Sequence, residues 1–177
     1  MLFRSANVLF NLLRGGAFAS GYHIATSHFL AFCRARNPRA LEAYQTSLAD
    51  LPDALSLSEL MAWSRKTQSS DLLRLTYEYL PMSFSRRHGD PSRPWNQFNI
   101  QVRNPDGSER LYYEGNWRDI FQNWEAAALS YPEYIESMIA KFLNASTADG
   151  YNPYRLTSEG IDWETPNPDD PWANIGY

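Results

Sequence analysis

The first half of the chain carries apolar residues at the spacing of amphipathic helices. Between residues 1 and 14 they nearly follow the steps of one helix face, and Gly15 follows as a helix-ending signal. Pro38 restarts a second helical stretch, and Pro81 ends a later one. We therefore predict successive helices up to about residue 80, the first with apolar positions at Leu2, Phe3, Ala6, Val8, Leu9, Phe10 and Leu13.

Two serines mark predicted helix starts. Ser27 stands directly before an apolar-periodic stretch, where its hydroxyl can accept a hydrogen bond from a free backbone N–H. Ser56 precedes Glu59 by three positions, which is the spacing of a reciprocal capping box. We expect one helix to start at each serine.

The pattern changes to strict alternation in the middle of the chain. Apolar and polar residues alternate over 98–102, an Asn-Pro-Asp-Gly turn follows at 104–107, and apolar residues return at 111–113. This arrangement predicts a β-hairpin insertion over residues 96–114.

Helical spacing then resumes before a final irregular segment. Asn116 is suited to cap one helix, and Pro132 is suited to the first turn of the next. Residues 144–177 are aromatic and acidic and rich in turn-forming residues, with one short hairpin predicted near 154–163.

These elements predict a mainly α fold with about six helices and one β-hairpin. The length of 177 residues suits a single domain, so residues 1–177 are assigned to one unit. The chain ends in an aromatic run over 171–177, which is not typical of a free, polar terminus. We therefore expect an incomplete domain that continues into a larger chain or is completed by another subunit.

Composition and charge argue against several classes of function for this chain. The chain is 44% hydrophobic and 15% aromatic, so it can bury a core, and its net charge of −4 argues against a nucleic-acid partner. The single cysteine excludes an internal disulfide, and no apolar run reaches the roughly 20 residues of a membrane span. We expect no membrane association and a cytoplasmic location. Five arginines without an acidic residue in the first 41 positions leave organelle targeting or secretion as alternatives.

The helix predicted to start at Trp117 has a polar face opposite its apolar stripe. A carboxylate there stands beside two amides, a combination that can hydrogen-bond the hydroxyls of a sugar. The predicted sugar-binding set, with its two entrance residues first, is Glu114, Arg118, Asp119, Gln122 and Asn123. A structural role is the alternative, because Asp119 would also favour the helix start through its charge.

A second candidate region combines aromatic rings with carboxylates in residues 149–155, 162–164 and 169–172. Sugar rings have apolar C–H faces that lie against Trp or Tyr, while their hydroxyls need fixed donors and acceptors. Asp170 and Trp172 are the sugar-binding candidates in the last of these stretches. The alternative is a loop that docks on another domain.

A basic loop is the third candidate. Its residues could hold a phosphate through guanidinium contacts, although such a run is more often a solvated loop. The anion-binding candidates are Arg86, Arg87, His88 and Arg93. The three histidines have no spacing that converges on a metal, so we predict neither a metal nor another cofactor.

The stretches YYEGNWRDIFQNWEA, KFLNASTADGYNPYR, GIDWE and DDPWANIGY resemble parts of large bacterial proteins of the six-hairpin glycosidase superfamily. That superfamily includes cellobiose-phosphorylase-like and glycogen-debranching-like enzymes built on an (α/α)6 toroid of twelve helices. The resemblance implies that this chain is a partial (α/α)6 toroid. It also implies that Arg118 and Asp119 bind a glycosyl unit, that Trp117 belongs to the same element, and that Trp172 walls the pocket.

Two functions follow from these observations. The leading hypothesis is part of a carbohydrate-active enzyme, a glycoside hydrolase or phosphorylase acting on a glucan-type substrate, with Asp119 as the candidate catalytic residue. The alternative is a non-catalytic helical module that docks on a partner through its aromatic C-terminal segment.

Overall fold

The computed structural model describes residues 18–20, 22–44, 48–85 and 103–163. The helix predicted within residues 1–14 and the basic loop at 86–93 lie outside these ranges. The described part is mainly helical, as expected. Its helices are α1 (Thr26–Arg36), α2 (Pro38–Glu42), α3 (Leu57–Lys66), α4 (Ser70–Glu78), α5 (Trp117–Ser130) and α6 (Ile135–Ala145).

Short strands form two small sheets between and after these helices. In the first sheet, β1 pairs antiparallel with β2. In the second, β3 pairs parallel with β4, and β4, β5 and β6 follow in antiparallel order. The strands are β1 (His23–Ala25), β2 (Ala54–Ser56), β3 (Phe84–Ser85), β4 (Tyr113–Asn116), β5 (Arg155–Thr157) and β6 (Ile161–Asp162).

The two serine predictions have different outcomes. Ser56 accepts a hydrogen bond from the Glu59 N–H, and the Glu59 carboxylate accepts one from the Ser56 N–H, so α3 begins with the predicted capping box. The prediction for Ser27 is wrong. Helix α1 begins at Thr26, and its N-cap is Ala25, which lies two positions before Ser27 and has no side-chain acceptor. The hydroxyl of Thr26 instead donates to the Pro52 carbonyl, because β1 pairs with the strand that follows Pro52.

Prolines and asparagines lie at the starts of α2, α5 and α6. Pro38 occupies the first turn of α2, and Asn37 caps that helix by accepting a hydrogen bond from the Ala40 N–H. Pro132 begins a 3₁₀ turn, Pro132–Tyr134, that leads into α6. Asn116 is the N-cap residue of α5, as predicted, but its side chain makes no capping hydrogen bond.

The turn predicted at 104–107 is present in the structure. Gly107 has a φ of 85°, and its N–H donates to the Asn104 carbonyl. The first strand of the predicted hairpin, residues 98–102, lies outside the described residues. The second contributes Tyr113 to β4, whose described partners are β3 and β5, so the insertion over 96–114 stays a prediction. The hairpin predicted near 154–163 is confirmed as β5 and β6.

One hydrophobic core joins the two halves of the described chain. The ring of Phe18 stacks on Tyr134 at 4.2 Å between centroids, and the ring of Tyr113 meets Trp124 edge-on at 5.4 Å. A polar contact also crosses between the halves, because Asn144 on α6 donates to the Glu78 carboxylate at the end of α4.

These observations establish a mainly α fold with small sheets. The six helices of the described ranges do not by themselves define a twelve-helix ring, so the partial (α/α)6 toroid stays a prediction. Within the described residues, every helix is too short or too polar to cross a membrane.

Candidate functional site

Strand β4 runs directly into helix α5, and this junction positions the predicted sugar-binding residues. The backbone is tight at Gly115, where an added Cβ would lie 3.1 Å from the Cβ of Ile120 one turn into α5. Glycine allows this approach between strand and helix without displacing Ile120, whereas a larger residue would require that side chain to shift by a few tenths of an ångström. The backbone N–H of Trp117 donates to the Tyr154 carbonyl, which ties the helix start to the approach to β5.

Glu114 is a buried residue of strand β4. The residue is 3% exposed, and both of its carboxylate oxygens have partners. One oxygen accepts a hydrogen bond from Arg155 Nη1 at 2.7 Å, and the other accepts one from the Tyr112 hydroxyl at 2.6 Å. Burial raises the pKa of the Tyr112 hydroxyl, and its hydrogen bond to Glu114 raises that pKa further. Tyr112 therefore stays a neutral donor that holds the carboxylate in place.

Arg155 links this buried carboxylate to the protein surface. Its Nε donates to Asp162 Oδ2 at 2.7 Å across the β5–β6 hairpin, and its Nη2 contacts the same oxygen. Burial lowers the pKa of the guanidinium, but the hydrogen bond and the charges of Asp162 and Glu114 raise it more, so the pKa lies above its ordinary value. The guanidinium is thus a permanently charged bridge between two carboxylates.

The outer end of this network is accessible. The Arg155 side chain is 37% exposed and that of Asp162 is 48% exposed, while the next residue, Trp163, is 45% exposed. We call Arg155, Asp162 and Trp163 the hairpin surface. It combines an oriented cation and a carboxylate with the exposed indole of the following residue, and these are the groups that hydrogen-bond sugar hydroxyls and cover sugar C–H faces.

Trp117 occupies a different environment at the start of α5. Its ring stacks on Phe142 of α6 at 4.7 Å and meets Phe121 edge-on at 5.7 Å. The Trp117 Nε1 and the Oδ1 of Asn116 are both buried without a hydrogen-bond partner among the described residues. The Trp117 side chain therefore packs between α5 and α6, and the junction carries polar atoms that no described protein group satisfies.

The structure describes only some of the predicted site residues. Glu114 and Trp117 lie at the β4–α5 junction, where Glu114 is paired inside the protein. Residues 118–123 belong to α5, but four of their side chains lie outside what the structure describes: Arg118, Asp119, Gln122 and Asn123. The other six predicted residues lie entirely outside the described ranges: Asp170, Trp172, Arg86, Arg87, His88 and Arg93.

Two features of the structure were not predicted from the sequence. Arg155 was placed in an aromatic and acidic stretch, but its pairing with Glu114 depends on the β4–β5 register, in which Asn116 opposes Arg155. A second feature is an exposed apolar groove between α5 and α6. The i, i+4, i+7 spacing of Ile135, Ile139 and Phe142 was the available signal for it.

Comparison with protein families relates the first half of the chain to glycoside hydrolases. Residues 18–81 match the family described as glycoside hydrolase family 149 insertion domain 1. This range covers β1 to α4 and less than half of the chain, and it ends before the β4–α5 junction and the hairpin surface. No curated protein matches the sequence. Residues 18–81 are therefore a glycoside hydrolase-related region, an assignment coarser than the six-hairpin superfamily.

Proposed function

We propose that the chain is part of a carbohydrate-active enzyme and that its hairpin surface binds a glycosyl unit. The observation that carries this proposal is the geometry of Arg155, which is held by buried Glu114 and in turn orients the exposed Asp162, the residue before the exposed Trp163. The match of residues 18–81 to a glycoside hydrolase insertion domain supports a carbohydrate context for this surface.

The network is suited to sugar recognition because its charged groups are oriented before a ligand arrives. A side chain already fixed by hydrogen bonds loses little conformational entropy on binding. Asp162 can accept hydrogen bonds from vicinal hydroxyls, and the indole of Trp163 can cover the apolar face of the ring. Glu114 serves as a positioning residue, because both of its oxygens are engaged within the protein.

The remaining predicted residues extend this proposal to the start of α5. That helix follows Glu114 by three positions, so the Trp-Arg-Asp element starts next to the anchor of the network. In the proposal, the sugar contacts there come from Arg118, Asp119, Gln122 and Asn123, with Asp119 as the candidate catalytic residue. Asp170 and Trp172 would wall the same site from the C-terminal segment. The substrate would be glucan-type.

Glycan titration with matched variants tests the proposal. We would measure binding of gluco-oligosaccharides of several linkages by isothermal calorimetry to the natural chain, Asp162→Asn and Trp163→Ala. Each substitution should weaken binding about tenfold or more, since it removes a hydrogen-bonding charge or the stacking surface. Asp50→Asn and Tyr22→Ala are the controls, because Asp50 is also an exposed aspartate and Tyr22 is 44% exposed. Unchanged affinity in the two site variants would refute the hairpin surface as the binding site.

Hydrolysis and phosphorolysis can be separated by the requirement for inorganic phosphate. The anion-binding candidates Arg86, Arg87, His88 and Arg93 favour testing phosphate first, as a co-substrate. Activity that appears only with phosphate would indicate a phosphorylase, and activity without it a hydrolase.

The second candidate function is a non-catalytic helical module that docks through its aromatic C-terminal segment. The exposed aromatic side chains of that segment, Tyr151 at 71% and Trp163 at 45%, favour a role in contacts with other protein surfaces. Absence of binding to every glycan, together with loss of partner binding in Trp172→Ala, would favour this function over the enzyme.

A further inference from the structure

Helices α5 and α6 form an apolar groove that no described segment covers. The start of α5 contacts the end of α6, as the 4.8 Å distance between the Phe121 and Phe142 rings shows, so the two helices run antiparallel. Ile139 is 53% exposed and Leu143 is 61% exposed. The groove is lined by Phe121, Trp124, Glu125, Ala128, Ile135, Met138, Ile139 and Phe142.

The exposed face of these helices is regular. The lining residues recur at i, i+3, i+4 and i+7 on both helices, which is the pattern of a surface that faces a third helix. Contiguous apolar surface of this kind is uncommon on soluble proteins unless another element packs on it. The shape of the groove therefore suits an amphipathic helix.

Phe18 lies next to the turn that joins the two helices of the groove. Phe18 packs on Tyr131 and Tyr134, at 4.8 and 4.2 Å between ring centroids. Tyr131 directly precedes the 3₁₀ turn between α5 and α6, and Tyr134 is the last residue of that turn, directly before Ile135. Phe18 is therefore anchored at the turn that joins α5 to α6, next in sequence to the groove residue Ile135.

The N-terminal segment is long enough to span the groove. As a helix, residues 2–13 would extend about 18 Å, whereas the lining of α5 from Phe121 to Ala128 extends about 11 Å. Gly15 and Gly16 lie between the predicted helix and Phe18, where glycines permit a sharp reversal of the chain.

The charges of the two surfaces are complementary. The first 17 residues contain Arg4 and Arg14 and no acidic residue. On α5, the 3₁₀ turn and α6, the exposed charged side chains that the structure describes are all acidic: Glu125, Glu133 and Glu136. Packing of the segment on this face would bring opposite charges together at its rim.

We propose that residues 1–14 form an amphipathic helix that docks in the α5–α6 groove, parallel to α5. Its apolar side consists of Leu2, Phe3, Ala6, Leu9, Phe10 and Leu13, which follow helical spacing. Val8 falls on the opposite side of such a helix, because it is offset from Leu9 and Phe10 by one and two helical steps of about 100°. The helix would complete a three-helix layer and remove the exposed apolar surface.

Photo-crosslinking in the full chain tests the proposed position. We would replace Phe10 with p-benzoylphenylalanine, an aromatic substitution, and map the crosslinked peptides by mass spectrometry. The expected product is an intramolecular crosslink to Trp117–Ser130 or Ile135–Ala145. The same replacement at Val8 is the control and should give little of this product. Crosslinks between two chains would overturn the proposal in favour of a second copy as occupant, and crosslinks only to other parts of the chain would also overturn it.

Hydrogen exchange provides a readout that does not depend on the photoreactive group. We expect Leu9→Asp to increase exchange of the α6 amides several-fold and to increase binding of a hydrophobic dye. Val8→Asp introduces the same charge one residue away and should leave both measurements unchanged. Equal effects of Leu9→Asp and Val8→Asp, or no effect of either, would overturn the proposal.

Discussion

Arg155 connects the buried and exposed parts of the candidate site through its hydrogen bonds to Glu114 and Asp162. A second arginine, Arg110, makes a long contact of 3.8 Å with the exposed Glu159, and its guanidinium lies 5.3 Å from the centre of the Tyr112 ring. The two arginines therefore differ in what their removal leaves behind. Loss of Arg155 leaves a buried carboxylate without its cation, whereas loss of Arg110 leaves a carboxylate in water.

We predict that Arg155→Ala lowers the free energy of unfolding by about 2–3 kcal/mol. This value is below the roughly 3–5 kcal/mol for a fully buried pair, because Arg155 is partly exposed. Arg110→Ala should cost less than about 1 kcal/mol, as is usual for a surface pair. Urea unfolding of both variants provides the comparison. Similar losses in the two would show that Glu114 does not depend on Arg155.

Cys33 gives a second prediction at the residue scale. The thiol is buried, and burial raises its pKa to about 12, because the charged thiolate is disfavoured away from water. The reactive thiolate should therefore be rare in the folded protein at pH 8 to 9, near the ordinary pKa of about 8.5 for cysteine. We expect very slow reaction with a thiol reagent in buffer and rapid reaction in denaturant. Because the chain has one cysteine, the reacting thiol is unambiguous. Rapid labelling of the folded chain would contradict the burial of Cys33.

At the scale of elements, the helix starts show two kinds of stabilisation. Helix α3 begins with a local capping box, whereas the Thr26 hydroxyl at the start of α1 bonds to Pro52 in a distant part of the chain. The first kind depends on residues three positions apart. The second depends on the pairing of β1 with β2, and it replaces the cap that Ser27 was expected to provide.

The capping box gives the prediction at this scale. Ser56→Ala should destabilise the protein by about 1 kcal/mol, because it leaves the Glu59 N–H without its acceptor. Ser27→Ala is the matched control, since Ser27 lies exposed in the first turn of α1 and is not its N-cap residue. Thermal unfolding should show a lower midpoint for the first variant only. An equal shift in Ser27→Ala would indicate that it has a capping role after all.

At the scale of the whole molecule, the core does not follow the boundary of the family match at residue 81. Phe18 packs on Tyr134, and the Lys141 amine lies 5.8 Å from the centre of the Phe32 ring. Buried side chains on both sides of residue 81 belong to one hydrophobic cluster. The matched region therefore shares its core with α5, α6 and the second sheet.

We predict that residues 18–81 expressed alone do not form a cooperatively folded domain. Separation from α6 would expose Phe18 and remove the hydrogen bond from Asn144 to Glu78. A domain of about 60 residues also buries only about 60% of the surface of its unfolded chain. Near-ultraviolet circular dichroism should be lost in the fragment and retained in the full chain. A cooperative thermal transition in the fragment would show instead that the matched region is an independent folding unit.

The sequence by itself determined the local elements. The Ser56 box, the Pro38 and Pro132 helix starts and the 104–107 turn all depend on residues within a few positions of each other, so their signals are contained in short stretches. The candidate sugar chemistry of the aromatic and acidic segment was also visible, because it depends on residue type. Its arrangement was not.

Only the tertiary structure decided which of these residues meet. Glu114 and Arg155 are 41 positions apart and come together through the β4–β5 register, and Asn144 reaches Glu78 across 66 positions. Hydrophobic spacing predicts that a helix has an apolar side but does not specify the element that covers it. The sheet register placed Glu114 inside the protein and paired Arg155 with Asp162 at its surface, and the packing of α6 left the α5–α6 groove facing outward. Such pairings depend on contacts between distant parts of the chain.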